Sequence, residues 1–168
     1  FTGTDTIPAI DFLEEYYGAN SDKELIGGSV PATEHSVMSM GLEAGEQTTF
    51  NNLLNIYPDG ILSVVSDTWD LWEVIGSYLP ALKDKILARN GKLVIRPDSG
   101  DPADIICGKN DSIEPDPVSF GVVECLWNIF GGTVNEKGYK TLDSHIGVIY
   151  GDSITPERQI EILRRLAD

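Results

Sequence analysis

Lys92-Leu93-Val94-Ile95-Arg96-Pro97-Asp98 (KLVIRPD) is a short apolar run, β-branched at its centre, that closes on an arginine, a proline and an aspartate. So short a run with branched side chains reads as a buried strand rather than a helix. Two further stretches share its plan: Ile61-Leu62-Ser63-Val64-Val65-Ser66-Asp67 and Ile146-Gly147-Val148-Ile149-Tyr150-Gly151-Asp152. A fourth, Gly28-Ser29-Val30-Pro31-Ala32, is less branched but holds the equivalent place earlier in the chain. Continuous apolar runs without polar alternation are expected of parallel strands covered on both faces.

Helical patterns lie between these runs. Pro8 to Tyr17 forms an amphipathic stretch closed by Gly18. Trp69, Trp72, Ile75, Gly76 and Leu79 recur at helical spacing, and Pro80 is expected to break the pattern before a second helical piece that ends near Asn90-Gly91. Thr155-Pro156 supplies an N-cap and a first-turn proline, with Ile160, Leu163, Leu166 and Ala167 as the expected buried stripe. Residues 133–142, with Lys137-Gly138 at the centre, read as a short hairpin, and residues 107–117 as a polar surface loop. Strand–helix alternation predicts parallel βα units. Four such units are about half of an eight-stranded barrel, so residues 1–168 are expected to be one partial α/β-barrel domain. The chain opens on Phe1-Thr2-Gly3 and stops at Asp168 after a helical pattern, and both ends read as cuts through a longer protein.

The net charge of −15 argues against nucleic acid or an anionic membrane as partner, because both select clustered Lys and Arg. No apolar run approaches the roughly 18 residues of a membrane span, and no signal peptide is visible; a cytoplasmic protein is expected. Cys107 and Cys125 show neither metal nor redox spacing and are expected to be free thiols.

In parallel α/β folds the active site lies at the carboxyl ends of the strands. Asp67, Asp98 and Asp152 stand there, and His35, in Val30-Pro31-Ala32-Thr33-Glu34-His35-Ser36, follows the first strand in the equivalent place. Taken alone, a histidine beside a helix start leans structural, and an aspartate after a strand is often the N-cap of the next helix. Three such aspartates together with Arg96 and His35 favour a functional rim. Those residues admit two enzyme classes. Carboxylates could hold a divalent metal in a barrel lyase that stabilises an enolate, or carboxylates with Arg96 and Mg²⁺ could manage a phosphorylated sugar. A non-catalytic binding domain is a third class, and the intact polar rim counts against it.

Gly3-Thr4-Asp5-Thr6, VPATEHS at residues 30–36, Val64-Val65-Ser66-Asp67, Ile95-Arg96-Pro97-Asp98-Ser99-Gly100, Lys137-Gly138-Tyr139 and Gly151-Asp152 occur in that order. In this combination the chain resembles the nicotinamide phosphoribosyltransferase family, in its bacterial or phage form, over nearly its whole length. The resemblance implies an irregular type II phosphoribosyltransferase α/β barrel, homodimeric, with sites at the subunit interface. It implies transfer of phosphoribosyl from phosphoribosyl pyrophosphate, with Mg²⁺, to nicotinamide, releasing pyrophosphate; the related nicotinate enzyme is the neighbouring alternative. It implies that His35 is transiently phosphorylated by ATP, with Asp67 beside it, and that Asp98 and Asp152 surround the ribose and its metal. Asp5 would bind the carboxamide, Arg96 would lie beside the pyridine ring and the phosphates, Ser29, Ala32 and Ser63 would line the nicotinamide pocket, and Gly151 would let the nucleotide approach. His145 is expected to be structural. The resemblance also implies that most of the phosphate cradle lies in segments outside residues 1–168, so that this stretch alone is expected to be inactive.

Overall fold

Three parallel strands carry the centre of the molecule, in a computed structural model that describes residues 6–109 and 116–167. Strand β1 (Asp59–Val65) pairs with β2 (Asn90–Arg96) along its whole length, from Asp59 opposite Asn90 to Val65 opposite Arg96. Strand β5 (Ile146–Val148) adds to the far side of β2, opposite Leu93 to Ile95, giving the order β1-β2-β5. Leu62, Val64, Val65, Leu93, Ile95 and Ile146 are buried, as expected of strands covered on both faces. The expected first strand is reduced to a single parallel bridge, Ala32 to Ser63. Gly28 and Pro31 explain this: glycine adds chain entropy and proline has no N–H for a ladder.

The chain divides into two compact units, Phe1–Pro31 and Ala32–Asp168. In the first, helix α1 (Thr6–Tyr17) closes at Gly18, whose φ of +67° suits a C-terminal glycine. Phe12 stacks against Tyr16, with ring centroids 4.7 Å apart.

In the second unit, α2 (His35–Met38), a 3₁₀ turn (Ser39–Gly41) and α3 (Leu42–Ile56) precede β1. The segment between β1 and β2 is one continuous helix in three parts: α4 (Leu71–Glu73), a π turn (Val74–Tyr78) and α5 (Leu79–Leu87). Two expectations fail here. Trp69 lies before the helix, and Pro80 does not interrupt it. Proline inside an α-helix lacks a donor and crowds the carbonyl four residues back. The π turn just before it widens the ladder, with Leu79 N–H bonding Val74 O, and lets the ring fit.

Helices α6 (Pro102–Cys107) and α7 (Pro117–Phe130) follow β2, then the hairpin β3 (Gly132–Val134) and β4 (Lys140–Leu142), which is antiparallel as read from the sequence. Helix α8 (Pro156–Ala167) begins at Thr155, whose Oγ1 accepts from Arg158 N–H at 3.3 Å. Its expected stripe is not buried: Ile160, Leu163 and Leu166 are exposed and Ile162 is buried instead, against Ala103 and Ile106 of α6. The main core lies between the sheet and its helices, with Met38, Phe50, Leu54, Val74, Ile75, Leu79, Ile86, Val122 and Leu126 packed on the strands. Burying a side chain of this kind contributes about 1.5–3 kcal/mol.

Candidate active site

Thr33 is what ties VPATEHS to the sheet. It is buried; its N–H donates to Ser63 O at 3.0 Å, and its Oγ1 accepts from Val65 N–H at 3.0 Å. That clasp sets Glu34 and His35 at the carboxyl end of β1. Ala32 and Ser63 are brought side by side by the parallel bridge.

His35 opens α2 and is nearly half exposed, with 46% of its side chain accessible. Nδ1 lies 3.1 Å from Thr68 Oγ1, and Nε2 lies 3.5 Å from Asp98 Oδ2. The first is a hydrogen bond; the second is long for one, but becomes an ion pair once the ring is protonated. Asp98 is held from behind, since its backbone N–H donates to Asp67 Oδ2 at 2.8 Å. The two strand-end aspartates and the histidine therefore form one chain of contacts: Asp67 fixes Asp98, and Asp98 faces His35.

The capping explanation does not account for these aspartates. Helix α4 is capped by Asp70, which accepts from Trp72 and Glu73, and α6 by Asp101, which accepts from Ala103 and Asp104. Thr155 stands at the start of α8. Asp67, Asp98 and Asp152 are left for other work.

Arg96 ends β2 and pairs with Glu34, Nη2 to Oε2 at 3.2 Å. Glu34 is two-thirds exposed, so the pair contributes less than about 1 kcal/mol and an incoming anion can displace it. Asp152 lies on an exposed loop with its Oδ2 accepting from Ser153 Oγ at 2.9 Å. Asp152 follows β5, whose carboxyl end lies on the same side of the parallel sheet as those of β1 and β2. Tyr150 ties this end to the loop after β2. Its hydroxyl donates to Gly100 O, and its pKa is held above the usual tyrosine range by burial first, then by Asp152, Asp67, Asp98 and Asp101. A Cβ at Gly151 would meet nothing within 4 Å, so this glycine leaves open space beside the rim.

Two predicted residues stand apart. Asp5 lies outside the described residues, and Ser29 belongs to the first unit, where its hydroxyl meets Thr6 Oγ1 at 2.9 Å. His145 is structural in its surroundings: Nδ1 lies 2.7 Å from Asp143 Oδ1 at the other end of β5, and its carbonyl accepts from Leu93 N–H. Among the described residues, no three His, Cys, Asp or Glu side chains converge closely enough to cage a metal ion. Cys107 and Cys125 are free, and burial pushes both thiols up, Cys125 to about 11. A cavity of about 380 Å³ between α6, α7, the hairpin and α8 holds none of the predicted residues. The convergent titratable groups are on the rim, the arrangement that marks a candidate active site. Thr68, Glu34 and Tyr150, which complete that rim, carry no separate sequence signal beyond their closeness to VPATEHS and to the strand ends.

All of residues 1–168 match the nicotinate phosphoribosyltransferase (NAPRTase) family. A nicotinamide phosphoribosyltransferase of Acinetobacter baylyi is 50% identical, over 99% of this chain and 34% of its own length. One of Mycoplasma pneumoniae is 45% identical over 89% of this chain, and one of Xanthomonas campestris pv. campestris is 35% identical over 99%. The chain spans about a third of the length of the curated relatives it matches. No helix among the described residues is long and apolar enough to cross a membrane. The chain belongs to the nicotinate phosphoribosyltransferase family.

Proposed function

We propose that this chain supplies the histidine, ribose and base-binding part of an enzyme that transfers phosphoribosyl from phosphoribosyl pyrophosphate to nicotinamide, as part of a homodimeric, cytoplasmic α/β barrel. The observation that carries this reading is the linked set Asp67, Asp98 and His35 on one rim, with Arg96 beside it. Loss of pyrophosphate leaves positive charge on the ribose. Carboxylates at Asp98 and Asp152 favour that transition state over the ground state, in which the ribose carries no positive charge. Arg96 exchanges Glu34 for a substrate phosphate through its forked donors. Asp98 and Asp152 are the carboxylates that would help to hold Mg²⁺ brought in with the substrate, and the ion would supply charge neutralisation of the departing pyrophosphate.

His35 is accessible enough to receive a phosphoryl group from ATP, and Thr68 fixes the ring by one nitrogen while the other faces Asp98. In the full-length enzyme, His35→Ala is expected to leave basal transfer measurable and to abolish its stimulation by ATP. Pyrophosphate release with and without ATP measures this, and undiminished stimulation would remove His35 from the mechanism.

Asp5 is assigned to base selection. A carboxylate accepts from a carboxamide N–H and repels a carboxylate, a difference of several kcal/mol when both are desolvated. Asp5→Asn is expected to erase a preference for nicotinamide over nicotinate in kcat/KM. The family's own name favours nicotinate as the second reading. Wild-type preference for nicotinate in the same comparison would establish that reading and defeat ours.

A further inference from the structure

Asp98 and Asp152 reach the rim from different loops. Asp98 follows β2, and its backbone N–H is held by Asp67 Oδ2 at 2.8 Å. Asp152 follows β5, a strand of three residues that pairs with Leu93 to Ile95 of β2. Beyond that ladder Ile149 N–H still bonds Ile95 O at 3.0 Å, and Asp152 lies three residues further on. The next residue, Ser153, has φ +54°. A non-glycine residue in the left-handed region is costly and persists where its surroundings impose it. The sheet does not extend to this turn, so side chains hold it.

Two side chains do so, and both reach across to the Asp98 loop. The Tyr150 ring is half-buried against the small cluster of Ala103, Ile106 and Ile162, and it lines a cavity of about 290 Å³ under α8. Its hydroxyl donates to Gly100 O at 3.1 Å. Gly100 lies between Asp98 and Asp101 with φ +91°, a conformation that glycine adopts without strain. Arg158 stands in the first turn of α8. Its Nη1 donates to Ser153 O at 2.9 Å, and its Nη2 lies 3.7 Å from Asp101 Oδ2. Asp101 Oδ1 meanwhile caps α6 through Ala103 and Asp104. The Arg158–Asp101 pair is well exposed, so its own energy is small. What matters is that one planar guanidinium spans both loops, a geometry that a point charge cannot reproduce. The Asp98 loop is thus pinned at Asp98 by Asp67, at Gly100 by Tyr150 and at Asp101 by α6 and Arg158.

We propose that Tyr150 and Arg158 are positioning residues that clamp the loop after β5 to the loop after β2, and so fix how Asp98 and Asp152 stand around the sugar phosphate. Both act through the loops and not through substrate. Phosphoribosyl pyrophosphate, gripped from both loops, should feel the clamp; the pyridine base, assigned to Asp5, Ala32 and Ser63, should not. A role confined to anchoring α8 would affect the two substrates alike. The kinetic part of this proposal rests on the transferase reading above; the coupling of the two loops does not.

The test uses three variants of the full-length protein. Tyr150→Phe keeps the ring in its cavity and removes the hydroxyl alone. Arg158→Met keeps the length of the side chain and removes both contacts, and Arg158→Lys can restore one of the two. Amide hydrogen exchange, measured without substrate, should be about 5-fold faster at residues 98–101 and at residues 151–153 together in Tyr150→Phe and in Arg158→Met, the factor that loss of one neutral hydrogen bond supplies. In kinetics, KM for phosphoribosyl pyrophosphate should rise about 5-fold in Tyr150→Phe and about 10-fold in Arg158→Met, with KM for nicotinamide within about 2-fold of wild type and Arg158→Lys in between. Faster exchange confined to the loop that carries the substitution would overturn the clamp, and so would equal shifts in KM for both substrates. If wild type turns over no pyridine base, the transferase reading falls; joint loosening of the two loops then still establishes the clamp, and independent loosening defeats it.

Discussion

Asp67→Ala in the full-length protein is expected to lower kcat/KM of the proposed phosphoribosyl transfer by about 10²-fold, with circular dichroism unchanged. The side chain accepts the Asp98 N–H at 2.8 Å, a bond to a charged group worth about 1.5–3 kcal/mol. Its loss leaves a partly buried amide unpaired and frees the loop that carries Asp98. Asp98 Oδ2 stands 3.5 Å from His35 Nε2, already at the long end for an ion pair with a protonated ring, so a shift of about 1 Å separates them. Misplacement on that scale is known to cost about two orders of magnitude in rate. Asp67→Asn separates the two roles of the residue. An amide oxygen still accepts the Asp98 N–H but carries no charge, so the effect should fall mainly on kcat and be several-fold smaller. Steady-state kinetics of the three proteins decide it. An alanine variant within about 3-fold of wild type would show that Asp67 does not position the rim.

Much of that rim is readable from strands alone. β-Branched runs mark β1, β2 and β5, and parallel strands must deliver their carboxyl ends to one side, which brings Asp67 and Asp98 together; His35 joins them through the single parallel bridge that stands in for the expected first strand. What cannot be read is which aspartate does what. Asp67 and Asp70, or Asp98 and Asp101, are equally good caps in the sequence; only the turn geometry gives the capping to Asp70 and Asp101. Thr68 and Glu34 are invisible for the same reason, since a polar residue in a loop looks alike whether it faces water or an imidazole. Glu46, the buried carboxylate of α3, did leave a trace. It stands four residues before Phe50 and eight before Leu54, so a helical reading of LEAGEQTTF puts a carboxylate on the buried stripe. The exposed stripe of α8 shows the converse limit: periodicity identifies an apolar face but not what covers it.

Gly121→Ala is expected to destabilise the protein by roughly 3 kcal/mol or more, with thermal unfolding of the full-length protein as the measurement. Two independent costs act at this position. The backbone has φ +74° and ψ 167° in the middle of α7, a conformation that any residue with a Cβ adopts only under strain. That strain alone costs about 1–3 kcal/mol. The second cost is steric. A Cβ on Gly121 would lie 2.2 Å from Gly108 N and 2.7 Å from Ile106 O, and both are backbone atoms at the end of α6. Gly108 meets the same limit from its own side, with its Cβ position 2.0 Å from Ser119 O. The two helices therefore cross backbone to backbone, with a glycine on each, and neither can yield by turning a side chain. Separating them would strain the Lys109 N–H bond to Val118 O at 3.1 Å and the packing of Ile106 and Val123 beneath it. Such overpacking costs about another 1–3 kcal/mol. The effect on chemistry should be small by comparison, because neither glycine contacts Asp67, Asp98 or His35. Gly131 is the internal control: its φ is +73° but a Cβ there meets nothing within 4 Å, so Gly131→Ala carries only the backbone strain. Equal destabilisation by the two substitutions would show that the close crossing of α6 and α7 contributes nothing, and that conformational strain alone explains the glycine at 121.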